Sequence, residues 1–222
     1  MANDNRSDKE KDKQQQPRVL SPRSKPMQKR AQKRRESILR VTALLLEEVG
    51  QDDLTTILVA KRADISVGTL YHYFPNKYAI LFALGEQWID EMEAALLEIE
   101  AAEIEKLSLR RFVEQCVDRL LAAYKAQRGL LPLVRALQGV PELKELDSRY
   151  NEMMVSALAR MFERLEVAER PAELTRLGRS YHEFSHAMLL LLVNQGSADS
   201  LKTLNDLKYL TLSLLERAKS QF

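Results

Sequence analysis

Apolar residues recur at three- and four-residue spacing along nearly the whole chain after residue 27, and that period belongs to helices rather than strands. From about residue 28 to 49, Ile38, Val41, Leu45 and Val49 form one stripe, widened by Leu39, Ala43 and Leu46, and Gly50 ends it as a C-terminal cap residue. A long fourth helix is expected over about 78–102, with Ile80, Leu81, Leu84, Trp88, Met92, Leu96 and Ile99 on its apolar side. Ser108 reads as the N-cap of a fifth, in which Phe112, Cys116, Leu120 and Tyr124 repeat every four residues up to Gly129. A short sixth (131–137) is bounded by Gly139 and Pro141, and Pro141 opens a long seventh through Leu146, Tyr150, Met153, Met154, Leu158, Met161, Phe162 and Leu165. Two more follow at about 171–194 and 200–220.

Between the first and fourth helices lies a denser signal. In residues 54–77, Thr55 or Thr56 can N-cap a helix with Val59, Ala60 and Ala63 inward, and Ser66 can N-cap another with Leu70 and Phe74 inward. Only Asp64-Ile65-Ser66 separates them, so the helices must cross steeply, and Asp64 tolerates a left-handed backbone at the turn. The result reads as a helix-turn-helix. Its second helix presents Val67, Gly68, Thr69, Tyr71, His72 and Tyr73 away from the Leu70 and Phe74 anchor, a set suited to reaching phosphates and base edges. Lys77 follows at the start of the next helix, where a cation beside free N–H groups suits a phosphate. The alternative, a buried hairpin whose aromatics are core, has to hide three aromatic or imidazole groups on a helix too short to do so.

Thr56 to Ala60 with Ala63, then Ile65-Ser66-x-Gly68-Thr69-Leu70-Tyr71-His72-Tyr73-Phe74-x-Asn76-Lys77, resembles the DNA-binding signature of the tetracycline-repressor-like (TetR) transcription regulators. Asp64 departs from the glycine usual in that turn. The likeness is dense over about two dozen positions, while the rest of the chain agrees only in helical layout. It implies a reader of DNA, with a ligand pocket in the C-terminal part whose lining it does not specify.

Composition fits this reading. The chain has 222 residues, 45% hydrophobic and 30% charged, with few Gly and Pro, enough for a packed core in one or two domains. A net charge of +2 hides a polar division. Residues 1–27 are polar and interrupted by Pro17, Pro22 and Pro26, which predicts a disordered basic tail. From Arg18 through Lys33, Arg34 and Arg35 no acid intervenes before Glu36, so this arm could follow the DNA backbone; the competing reading is a solvated tail. The single cysteine, Cys116, excludes an internal disulfide framework, and the first thirty residues hold no apolar segment of the secretory type. A cytoplasmic protein is expected, with no membrane span.

In residues 187–193 the eighth helix is apolar all round and must be covered on every side. A second copy of the chain would supply the cover, with Leu201, Leu204, Leu207, Leu210, Leu214 and Leu215 of the ninth helix completing a four-helix interface. His182-Glu183-Phe184-Ser185-His186 fits the H-E-x-x-H zinc-peptidase pattern, but the only other histidine is His72, and no third ligand follows in a recognisable place. A zinc hydrolase is therefore the minor reading; no catalytic residue, metal or cofactor is assigned. For a ligand, Trp88, Met92, Cys116, Tyr124, Met153, Met154, Tyr181, His182 and Ser185 lie on inward or flanking stripes and mix thioethers, flat aromatics and polar groups, a composition shared by pockets and ordinary cores.

The expectation is thus an all-α regulator: a tail (1–27), a three-helix DNA-binding domain (28–77) with Arg34, Arg35, Thr56, Ser66 to Thr69, Tyr71 to Tyr73 and Lys77 at the DNA, and a larger helical domain (78–222) for effector and dimerisation. A repressor released by a small apolar or amphipathic effector is the reading preferred. A DNA-binding module without a ligand is the other alternative.

Overall fold

The computed structural model describes residues 29–220, all of it helix and connecting turns; the tail predicted for residues 1–27 lies outside the described residues. Helix α1 (Lys29–Val49) buries Ile38, Leu39, Leu45 and Leu46, and Gly50 at φ 74° ends it as the pattern predicted. Helices α2 (Thr56–Arg62) and α3 (Val67–Tyr73) are each two turns long, and each is started by the side chain expected of a cap. Thr55 accepts from the Leu58 N–H at 3.1 Å, and Ser66 accepts from the Thr69 N–H at 3.0 Å. Asp64 takes the left-handed backbone, φ 52°, in the turn between them.

Helix α4 (Lys77–Glu100) is capped by Asn76, whose side chain accepts from Ala79. It is buried at intervals along its whole length, from Ile80 and Leu81 near α2 and α3 to Leu96 and Ile99 at the far end, so one rigid element joins both domains. Helices α5 (Leu109–Ala126), α6 (Leu131–Ala136), α7 (Lys144–Arg164), α8 (Pro171–Asn194) and α9 (Ser197–Lys219) make the larger domain. Within it α7 and α8 pack most extensively, and α5 bridges α4 to α9. Two glycines mark the closest approaches. A Cβ on Gly178 would stand 2.9 Å from the Val155 carbonyl oxygen, and one on Gly85 would overlap Leu146 Cδ2.

Three boundaries differ from the sequence pattern. Helix α5 ends at Ala126 rather than at Gly129, which falls in a 3-10 turn, Arg128–Leu130. Residues Pro141–Leu143 form a tight 3-10 turn that carries Leu143 into the core before α7 starts at Lys144. Helix α9 starts at Ser197 rather than at Ser200: the Ser200 N–H donates to the Gly196 carbonyl (3.0 Å) within the helix, and its hydroxyl donates to the Leu192 carbonyl (3.1 Å). The apolar stretch of α8 divides as well: Leu189, Leu192 and Val193 are buried, whereas Leu191 is 48% exposed. On α9, Leu207 and Leu215 are fully buried within the subunit, Leu204 and Leu214 half-buried, and Leu201 and Leu210 exposed. No described helix is long and apolar enough to cross a membrane.

Candidate nucleic-acid interface and ligand cavity

Helix α3 is fixed from beneath and left free above. Leu70 and Phe74 are wholly buried, worth about 1.5–3 kcal/mol each in removed apolar surface. Gly68, Thr69, Tyr71 and His72 are exposed, as is the capping Ser66. A Cβ on Gly68 would meet nothing closer than the Ser66 hydroxyl at 3.8 Å, so nothing inside the subunit fills the space beside that glycine. The polar groups are tied to the scaffold: Ser66 Oγ and Thr69 Oγ1 are 2.8 Å apart, and the hydroxyls of Thr56 and Tyr71 are 3.1 Å apart, linking the start of α2 to the middle of α3. His72 meets Tyr73 edge to face at 5.3 Å.

Other residues expected at the DNA have a second duty. Val67 and Tyr73 are half-buried and pack on the core. The half-buried Arg35 guanidinium lies over the Phe74 ring at 5.6 Å, while Arg34 is exposed on α1. Half-buried Lys77 donates to the Gln51 carbonyl at 3.3 Å and lies 5.6 Å from the Tyr78 ring centre, so its ammonium braces the loop after α1 as well as standing at the α4 N-terminus.

In the larger domain the residues chosen for a pocket fall mainly in the core. Trp88, Met92, Cys116, Tyr124, Met154, Tyr181 and Ser185 are buried in packed side chains, and Met153 is half-buried against them. Cys116 faces the Tyr181 hydroxyl at 3.7 Å, and burial pushes its thiol up to about 12, so it stays a neutral thiol. Of the chosen set only His182 lines the cavity of about 200 Å³ between α6, α7 and α8. The rest of its polar lining, Arg135, Asp147, Tyr150, Asn151, Glu183 and His186, was not among the ligand residues expected. A signal for it existed: Asp147, Tyr150 and Asn151 on α7 and His182, Glu183 and His186 on α8 each repeat at three- or four-residue spacing on one face.

Two hydrogen-bonded chains run from this cavity. Asn151 Nδ2 donates to Asp147 Oδ2 at 3.2 Å, so its Oδ1 accepts from His182 Nε2 at 2.9 Å. On the other side Tyr124 Oη lies 2.6 Å from His186 Nδ1 and 3.2 Å from Tyr150 Oη. A separation of 2.6 Å falls below the range of about 2.7–3.2 Å for an N–H donor and suits a hydroxyl donor. The network therefore assigns the Tyr124 proton to the His186 bond and leaves the His186 hydrogen on Nε2, where no described protein group accepts it. Behind these phenols sits Trp88, edge-on to Tyr124 at 4.9 Å, its N–H buried without an aligned partner. Burial holds both imidazoles down to about 4, His186 adding to the effect on His182, and pushes the Tyr150 phenol up to about 12. All these groups are uncharged at neutral pH. One nitrogen of each ring is committed, His182 Nε2 to Asn151 and His186 Nδ1 to Tyr124, and among the described residues no group of three possible ligands could hold a metal.

Comparison with known proteins agrees with this arrangement. The family description "Bacterial regulatory proteins, tetR family" matches residues 38–84, and "Tetracyclin repressor-like, C-terminal domain" matches residues 108–215. An HTH-type transcriptional regulator BetI of Stenotrophomonas maltophilia is 31% identical over 134 residues, 60% of this chain and 68% of that protein. The HTH-type transcriptional repressor KstR of Mycolicibacterium smegmatis is 43% identical over 56 residues, 25% of this chain and 28% of its own. A TetR-family regulator of Streptomyces coelicolor has the same fold, with a TM-score of 0.60 and 24% identity over 83% of this chain and 99% of that one. A capped α3 raised on a buried anchor, both family matches and the shared fold together place this all-α chain in the tetracycline repressor family of DNA-binding transcription regulators.

Proposed function

We propose that the protein is a cytoplasmic repressor that binds a palindromic operator as a homodimer and lets go when a small molecule enters the α6–α7–α8 cavity. The observation that carries the reading is α3 itself, a capped helix whose outward set, Thr69, Tyr71 and His72 around Gly68, is exposed while Leu70 and Phe74 lock it to the subunit. Ser66, Val67 and Tyr73 complete that surface; Thr56, Lys77, Arg34 and Arg35 stand where phosphates would pass. We take the boundary between the reading head and the larger domain at Lys77 and Tyr78, inside the first turn of α4. The dimer is assigned to α8 and α9, because Leu191, Leu201 and Leu210 remain exposed after each subunit has packed its own core. Repression is also supported by the likeness over the DNA-binding part to KstR, a transcriptional repressor.

Stoichiometry tests the proposal. On an operator fragment the complex should contain two protomers, an isolated half-site should bind far more weakly, and the affinity should fall steeply with salt as phosphate contacts displace counterions. Equal affinity for the half-site and the full palindrome would overturn the dimeric reading.

A further inference from the structure

The cavity between α6, α7 and α8 is lined by charges of both signs, half-buried Asp147 and solvent-exposed Arg135 and Glu183. Arg135 of α6 and Asp147 of α7 line the same space of about 200 Å³, as does Glu183 of α8. Among the described residues Arg135, Asp147 and Glu183 form no ion pair with one another or with another side chain. Asp147 spends one oxygen on Asn151, and burial raises its pKa, the mark of a carboxylate short of a counter-charge. The free donor on the same wall is His186 Nε2–H. Apolar lining from Leu137, Ala187 and Leu190 leaves room for a short hydrocarbon stem. A cavity of about 150 Å³ takes a benzene, so this one takes a molecule not much larger.

A purely anionic guest would meet Arg135 and His186 but face two carboxylates. A purely cationic guest would leave Arg135 and the His186 donor unused. We propose that the cavity binds a small dipolar molecule, an amino acid or a close analogue, with its carboxylate on Arg135 and His186 Nε2–H and its ammonium on Asp147 and Glu183. Each charge on such a guest meets one half-buried partner, His186 or Asp147, and one solvent-exposed partner, Arg135 or Glu183. The contact with His186 reaches α4 through Tyr124, which stacks edge-on against Trp88. As Trp88 is the chain's single tryptophan, its fluorescence reports occupancy directly.

The ligand class rests on the effector reading above only where release from DNA is concerned, so binding and release are measured separately. The full-length protein is titrated, by calorimetry and by Trp88 emission, with two matched sets of probes. One set is γ-aminobutyrate, butyrate and butylamine; the other is L-leucine, isocaproate and isoamylamine. At least one dipolar probe should bind about tenfold more tightly than both of its singly charged partners, with a change in Trp88 emission. Arg135→Gln and Asp147→Asn should each weaken that probe about tenfold, and thermal denaturation checks that both variants fold. The proposal is overturned if a singly charged partner binds as well as its dipolar parent, if neither dipolar probe binds below about 10 mM, or if binding survives both substitutions. A dipolar probe that binds as described yet leaves operator affinity unchanged sustains the ligand assignment and defeats the effector reading.

Discussion

Substitution of Gly85 by alanine probes the seat on which α4 meets α7. The added Cβ would overlap Leu146 Cδ2 and lie 3.4 Å from its Cγ, and Leu146 is fully buried, so the leucine must leave its rotamer or the helices must part. Overpacking of this kind costs about 1–3 kcal/mol. Against it, alanine inside a helix is favoured over glycine by about 1 kcal/mol. The net expectation is a loss of about 1 kcal/mol. Leu146→Ala alone should cost about 2–5 kcal/mol, through lost burial and the cavity it leaves. In that background the Cβ has room, and Gly85→Ala should change sign and stabilise by up to about 1 kcal/mol, a coupling of about 2 kcal/mol between the two sites. The assay is urea unfolding of the four proteins at one fixed concentration, since a dimer's stability depends on it. If Gly85→Ala has the same effect in both backgrounds, the clash is not what Gly85 avoids. Because α4 starts at Lys77 and α7 carries Asp147, Tyr150 and Asn151, the single variant should also change how strongly a ligand loosens DNA.

Other outcomes follow from the same geometry. Lys77→Ala should weaken binding to all duplexes alike by about 1 kcal/mol, whereas Thr69→Ala should relax the preference at particular base pairs; selections that shift in the same way for both would contradict this division. His186→Ala leaves the Tyr124 hydroxyl only Tyr150 Oη, 3.2 Å away, as a partner and should lower stability by about 1 kcal/mol, while a chelator should alter neither melting nor DNA binding; stoichiometric zinc in protein purified without added metal would reverse the assignment. Acid should destabilise the fold from pH 6.5 downwards. The two imidazoles ionise near 6.5 when unfolded and near 4 when folded, so their contribution is complete above pH 6.5 and is lost as the pH falls to about 4. The loss is on the order of 3 kcal/mol per imidazole at most, reduced by the coupling of the pair and by Asp147, whose raised pKa acts in the opposite sense. A urea midpoint that stays flat from pH 7 to pH 5 would show that these rings are not buried uncharged.

The helices and the reading head were legible because their signals are local. Thr55, Ser66, Asn76 and Ser108 each cap the helix that follows, and Asp64 takes the left-handed turn that so short a connection requires. The anchor pair Leu70 and Phe74 is separated by one helical turn, so the outward set could be read by subtraction. The cavity was less legible, since it depends on which inward stripe is covered by which neighbour. Trp88, Met92, Cys116 and Tyr181 have pocket chemistry, but α5, α7 and α8 close over them completely, and the space opens one turn away beside α6, a helix of only six residues. The histidine pair was noticed for its spacing, and its meaning came from Asn151 and Tyr124, which lie 31 and 62 residues away in the chain. In α9, Leu207 and Leu215 turned inward while Leu201 and Leu210 stayed exposed, a division that apolar identity alone does not encode.

The central claim, that the exposed face of α3 reads an operator in two-fold fashion, is tested most directly by selection from a pool of random duplexes at physiological salt. The full-length protein should enrich two inverted copies of one half-site, centred about one helical turn or somewhat more apart, and a Thr69→Ala variant should enrich the same spacing with a relaxed half-site. A pool that remains random, bound no more tightly after selection than before it, would contradict the account.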